Sequence, residues 1–91
     1  MTMDLEWFED KRLWTLKERG LDFRDARHLF DGRPLYTYPS PREGEERFVS
    51  VGLLEHRFVA VVWMERDDVR RIISMRRARH GEERAYRALL G

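Results

Sequence analysis

The run Phe58-Val59-Ala60-Val61-Val62-Trp63-Met64 constrains this chain more than any other stretch, because it is apolar on both faces. Successive side chains of a strand point to opposite sides of a sheet, so a run without a polar face needs cover above and below. It is therefore expected as a central strand with other elements packed on each side. The chain has 91 residues, room for one core, and a single domain spanning 1–91 is expected.

The neighbouring stretches supply the rest of a sheet. Leu35 to Tyr38 reads as a first strand ended by Pro39 and Pro41, and a charged loop, Pro41 to Glu46, follows. Arg47 to Gly52 is a second strand, with Phe48 facing opposite to Val49 and Val51. After turns at Leu53–His56 and Glu65–Val69, the segment from Arg70 supplies a fourth strand. Such short connections make each neighbour antiparallel. Upstream, Glu9 to Glu18 has helical spacing that places Leu13, Leu16 and Trp14 on its inner side, and Gly20 ends it. Asp22 caps a second helix, Phe23 to Asp31, closed by Gly32 and Pro34. Met1 to Phe8, with Leu5, Trp7 and Phe8, is too apolar for a free tail and is expected to pack down, an edge strand being one form. Gly81 to Leu90 reads as a final helix. The expected fold is α+β: two N-terminal helices, a four-stranded antiparallel meander and a C-terminal helix.

With 18 basic and 17 acidic side chains the formal net charge is only +1, so any basic surface must arise by segregation. Segregation is visible: carboxylates gather near the N-terminus, at Glu43–Glu46 and at Glu65–Asp68, while arginine crowds positions 66–87. A polyanion would meet the C-terminal third. The absence of cysteine excludes a disulfide framework and thiolate zinc sites and fits a reducing compartment, the cytoplasm. His28, His56 and His80 lie on separate elements without zinc-ligand spacing, so no metal or other cofactor is expected. No stretch has the pattern of a signal peptide or the length of a membrane span. No glycine-rich phosphate loop or nucleophile elbow is present either.

The chemistry concentrates in Arg70-Arg71-Ile72-Ile73-Ser74-Met75-Arg76-Arg77-Ala78. Strict strand alternation places Arg71, Ile73, Met75 and Arg77 on one face and Arg70, Ile72, Ser74 and Arg76 on the other. On the second face Ser74, small and polar, leaves space beside Arg76 for a ligand.

Across most of its length the chain resembles the BrnT toxins of bacterial type II toxin–antitoxin systems, which share the RelE-like ribonuclease fold. The resemblance rests on Glu6-Trp7, Lys11, Leu16, Gly20, Phe23, Ala26 and Phe30, then on Gly44-Glu45, Arg47 and Gly52. It continues through the apolar strand followed by Glu65-Arg66-Asp67, and is strongest in Arg71-Ile72-Ile73-Ser74, Arg76-Arg77-Ala78, Glu82, Arg84 and Tyr86. It implies a growth-inhibiting toxin that cleaves RNA and is neutralised by a cognate BrnA-like antitoxin, through whose DNA-binding segment the complex reaches operator DNA. Where that family usually has Asp, Asn, His and Thr, this chain has Phe8, Thr15, Arg19 and Met64.

RNA carries its own nucleophile, the 2′-hydroxyl. A nuclease without metal must take that proton, stabilise charge on phosphorus and protonate the leaving oxygen. Arginine suits the middle role, and Arg76 with Arg66 are the candidates. For proton transfer the candidates are Glu82 and Tyr86, spaced i, i+4 on the last helix, and His80. Arg77, Lys17, Arg19, Arg47 and Arg71 are the candidate RNA-binding cations. Each has a plainer alternative: solvated or ion-paired arginines, a glutamate favoured by the helix dipole, a core tyrosine and a surface histidine. Trp7, Trp14, Trp63, Tyr36 and Tyr38 could stack bases, though spacing puts Trp14 and Trp63 in the core, while Tyr36 and Tyr38 share a strand face. Two further readings stay open: an inactive relative that serves as a partner for a DNA-binding regulator, and an RNA-binding protein with no partner.

Overall fold

A computed structural model describes residues 4–90. The order is β1 (Asp4–Trp7), α1 (Glu9–Arg19), a 3-10 helix (Phe23–His28), β2 (Tyr36–Pro39), β3 (Phe48–Leu54), β4 (Arg57–Arg66), β5 (Val69–Arg77) and α2 (His80–Leu90). The class is α+β, but the sheet has five strands rather than four, in the order β1-β5-β4-β3-β2. The added strand is β1, which runs parallel to β5 from Asp4 opposite Val69 to Trp7 opposite Ile72, so the sheet is mixed. Of the packed-down N-terminal segment, residues 1–3 lie outside the described residues. Among the described residues no helix is long and apolar enough to cross a membrane.

Three antiparallel pairings, β2–β3, β3–β4 and β4–β5, make up the rest of the sheet, and the last two are tight hairpins. Leu54 pairs with Arg57 and Arg66 with Val69, leaving two-residue turns at Glu55-His56 and Asp67-Asp68. All four turn residues have positive φ, between 50° and 67°. That is the backbone of a type I′ turn, whose twist matches the strands it joins.

β4 is covered on both sides, as its sequence demands. Val59, Val61 and Trp63 join Ile72 and Met75 against Leu21, Phe23, Ala26 and Leu29 in the larger core. Ala60, with Val49 and Val51, forms the smaller core under Tyr36, Tyr38, Phe58, Val62 and Tyr86. In the larger core, Arg70 lays its guanidinium 3.7 Å from the centre of the Trp63 ring and 4.4 Å from that of Phe30, a cation held against two aromatic rings. Gly52 permits the close packing of Leu29 and Leu35, because a Cβ there would lie 2.6 Å from Leu35 Cδ2 and 3.0 Å from Leu29 Cδ2.

Three expectations need correction. The second helix is a six-residue 3-10 segment, not a helix to Asp31; Asp22 does cap it, accepting from the Arg24 backbone N–H at 2.9 Å. The inner side of α1 is polar: Arg12 and Thr15 are buried, whereas Leu13, Trp14 and Leu16 are 49%, 46% and 39% exposed. The physical reason is the surface that α1 meets. β1 covers the edge of β5 only as far as Ile72, and α1 packs beyond it, where Arg19 donates to the free carbonyl of Met75 at 2.9 Å. Arg12 meanwhile ties Glu9 to Asp22 across the start of the 3-10 helix. A strand edge asks for donors, not leucines.

The third correction concerns β5. Ile72 pairs with Trp63 and Ser74 with Val62, so Ile73 is an extra residue, a β-bulge. Before the bulge Arg70 and Ile72 face the larger core; after it Met75 and Arg77 do. Arg71, Ser74 and Arg76 therefore share the face on which α2 packs. Strict alternation gave Ser74 and Arg76 as partners correctly, but grouped Arg70 and Ile72 with them.

Candidate active site

The first turn of α2 anchors a cluster at the far end of β5. Glu82 is the third helical residue, and its carboxylate accepts from the backbone N–H of Arg79 at 2.7 Å, the N-terminal half of a capping box. The same carboxylate takes a two-pronged contact from Arg76, 2.7 Å from Nη1 to Oε1 and 2.9 Å from Nη2 to Oε2. Tyr38, on β2, donates its hydroxyl to Oε2. Glu82 is only 8% exposed. Burial pushes its carboxyl up, but the hydrogen bonds from Arg76, Arg79 and Tyr38 outweigh that and hold it at about 2. The Tyr38 hydroxyl is pushed up by burial and by the adjacent carboxylate.

Above this cluster opens a pocket of about 420 Å³. Five cationic side chains, Lys11, Arg42, Arg47, Arg76 and Arg79, line it with the hydroxyls of Tyr38, Ser40 and Ser74 over a floor of Val49, Val62 and Ile73. No carboxylate is among these lining residues. Arg47 is paired with Glu45 at 3.0 Å and Arg76 with Glu82. Lys11, Arg42 and Arg79 have no carboxylate within salt-bridge distance among the described residues. A pocket with this charge and size complements a phosphate group.

Of the residues singled out in the sequence, Arg76, Glu82 and Arg47 meet here. Arg19 reaches the rim, its guanidinium 3.4 Å from Ser74 Oγ. The others do not converge. Arg66 sits at the β4–β5 turn opposite Val69, seven positions along β5 from Arg76, roughly 20 Å at the rise of a strand. Tyr86 packs edge-on against Phe58, with ring centres 5.2 Å apart, instead of pairing with Glu82. His80 is exposed at the start of α2 and Lys17 is exposed on α1, neither on the pocket wall. Arg77 is exposed on the opposite face, and Arg71 is held by Glu6 at 3.2 Å. Tyr36 and Tyr38, possible stacking residues in the sequence, lie half-buried in the smaller core.

The sequence reading did not place Lys11, Arg42, Arg79 or the Tyr38 hydroxyl in the site. Arg42 reaches the pocket through the turn Arg42-Glu43-Gly44-Glu45, closed by reciprocal backbone bonds between Arg42 and Glu45 at 3.0 and 2.9 Å. Positive φ at Glu43 and Gly44 shapes that turn, and Gly44 was its one signal in the sequence. Arg79 was legible as the residue three before Glu82, the spacing of a capping pair.

Fold and pocket together define a small α+β domain with an anion-complementary pocket at one end of its sheet. The chain belongs to the BrnT toxin family: the model described as "Ribonuclease toxin, BrnT, of type II toxin-antitoxin system" matches residues 7–82. That span contains every cation of the pocket and Glu82. Membership implies an antitoxin partner. No curated protein matches the chain.

Proposed function

We propose that this chain is the toxin of a type II pair and a metal-independent endoribonuclease, neutralised by a DNA-binding antitoxin, and that the cationic pocket takes the scissile phosphate. The observation that carries the reading is the wall of five cations without a carboxylate among its lining residues. In the reaction the 2′-hydroxyl gives its proton to bulk water as its oxygen bonds to phosphorus and the bond to the 5′-oxygen breaks, leaving a cyclic phosphate and a 5′-hydroxyl. Charge accumulates on the non-bridging oxygens, and Arg76 and Arg79, with Lys11 and Arg42 opposite, neutralise it.

Glu82 then serves as a positioning residue. At about 2 its carboxyl lies some five units below neutrality, and protonating it at pH 7 would cost about 7 kcal/mol. Its two-pronged hold fixes the Arg76 fork. Guanidinium does not release protons, so the proton carriers on the wall are Lys11 and Tyr38, and the Lys11 ammonium is suited to protonating the leaving 5′-oxygen. His80, Tyr86 and Arg66 have no part in this scheme.

The full occupancy of Glu82 favours one alternative, an RelE-like binding module that holds phosphate without cutting and partners a DNA-binding regulator. Incubating the chain, free of antitoxin, with long single-stranded RNA in excess EDTA separates the two. Fragments ending in cyclic phosphate, lost in Arg76→Ala, are expected of the nuclease. Bound but intact RNA would overturn cleavage of free RNA and leave two readings, an enzyme that cuts only on the ribosome and the binding module.

A further inference from the structure

A second cavity, of about 680 Å³, adjoins the cationic pocket and shares Lys11, Arg47 and Ile73 with it. Its size is ordinary for a small-ligand site, roughly 300–1,000 Å³. Its character differs. The exposed lining is mainly apolar, with Met64 and Ile73 on the sheet side and two aromatic rings, Phe8 and Trp14, on the side of α1, and the carboxylates Asp10 and Glu45 at its margins.

Both rings are left out of the core: Phe8 is 69% exposed and Trp14 46%. Phe8 is also a costly choice where it stands. It occupies the N-cap of α1 and makes no side-chain capping bond there, at a position where Ser or Asp would stabilise the helix by about 1 kcal/mol. Each ring has cations beside it. Arg71 lies 5.2 Å from the centre of Phe8, and Lys11 and Arg19 each lie 5.1 Å from that of Trp14. Exposed aromatic rings flanked by cations, continuous with a phosphate-sized pocket, are the composition of a single-stranded nucleic-acid platform, in which rings stack bases and cations follow the backbone.

We propose that the Phe8–Trp14 cavity is a base-stacking subsite, taking a nucleobase next to the phosphate held in the cationic pocket. The proposal rests on the reading of that pocket as an RNA phosphate site. Asp10, on the same wall, offers an acceptor to the amino or imino hydrogens of the base. The subsite thereby favours bases that present donors.

The test uses the full chain and two non-cleavable probes of equal length: a 2′-O-methyl oligoribonucleotide, and the same backbone with abasic residues. Binding is followed by anisotropy of a dye on each probe. Because both rings are exposed, Phe8→Ala and Trp14→Ala are expected to keep the wild-type circular dichroism. Each should weaken the base-bearing probe about 5- to 100-fold, the worth of one stacked base, and leave the abasic probe unchanged. Trp14→Phe should restore most of the binding. The subsite is overturned if both alanine variants bind the base-bearing probe as tightly as wild type, or lose both probes equally. It is also overturned if they keep RNA binding but lose co-purification with the antitoxin, which would make the rings a protein contact. If wild type binds neither probe, the phosphate-site reading falls; if it binds both with one affinity, indifferent to Phe8 and Trp14, only the stacking subsite falls.

Discussion

At the scale of single residues, Glu82 binds three donors from three places in the chain, and its charge is what they share. Its carboxyl drops from an ordinary 4.5 to about 2 on folding. A group depressed in the folded state adds stability that is complete above its unfolded value and is lost as pH falls through the folded one. The contribution is therefore present above about pH 5 and disappears towards pH 2, amounting to about 3 kcal/mol at 1.36 kcal/mol per unit. Glu82→Gln should lower stability near neutrality and flatten the acid limb of a urea-unfolding series from pH 7 to 2. An unchanged limb would show that Glu82 is not the group being titrated. Exposed Glu9 is likewise held at about 2, by Arg12 and Trp7, so only the difference between variant and wild type isolates Glu82. The sequence singled out Glu82 and Arg76, because each stands at a patterned position. It did not reveal that they would satisfy one another, since the five residues between them hide a strand end and a helix start.

At the scale of elements, periodicity located the strands well and their facing less well. β3, β4 and β5 all lie where β-branched and aromatic residues collect, and β4 is covered on both faces as its composition required. Periodicity failed where backbone, not side-chain pattern, decides. The bulge at Ile73 reverses the facing of everything before it, and no residue type announces it, since Ile72 and Ile73 are alike. The leucines of α1 misled because amphipathic spacing assumes an apolar partner surface, and α1 meets a strand edge. The hairpins carry a correctable cost: Glu55 and His56 hold φ of 50° and 67° with side chains that disfavour it. Replacing them with Asn-Gly should raise unfolding stability by about 1 kcal/mol, read from the urea midpoint, with oligonucleotide binding unchanged. In the opposite direction, Gly52→Ala should cost about 1–3 kcal/mol, because the added Cβ would lie 2.6 Å from Leu35 Cδ2, which must shift, and 3.0 Å from Cδ2 of fully buried Leu29.

At the scale of the molecule, a net charge of +1 conceals a strong local field. Acidic side chains gather at the opposite end of the sheet, where Glu46, Glu65, Asp67 and Asp68 line a separate hollow, leaving the cations at the pocket end. Binding of a non-cleavable single-stranded oligonucleotide should therefore weaken with salt despite near-neutrality. A slope of about −0.7 per phosphate neutralised gives about −1.4 to −2.1 for two to three phosphates. Arg79→Ala should flatten it, and a slope near zero in wild type would rule out phosphate as the ligand. This segregation was legible in the order of charged residues along the chain. Lys11 and Arg42 were not, because folding carries them to the pocket from segments far from the arginine-rich third.

The grip of Glu82 on Arg76 also bears on time. A ribosome delivers the chain from its N-terminus, so all five strands emerge before the carboxylate that orients Arg76. Until α2 forms its first turn, Arg76 lacks the carboxylate that holds its fork in the folded chain. The pocket is therefore finished by the last of the described elements to emerge, so its arginine is positioned only after the whole sheet has been made.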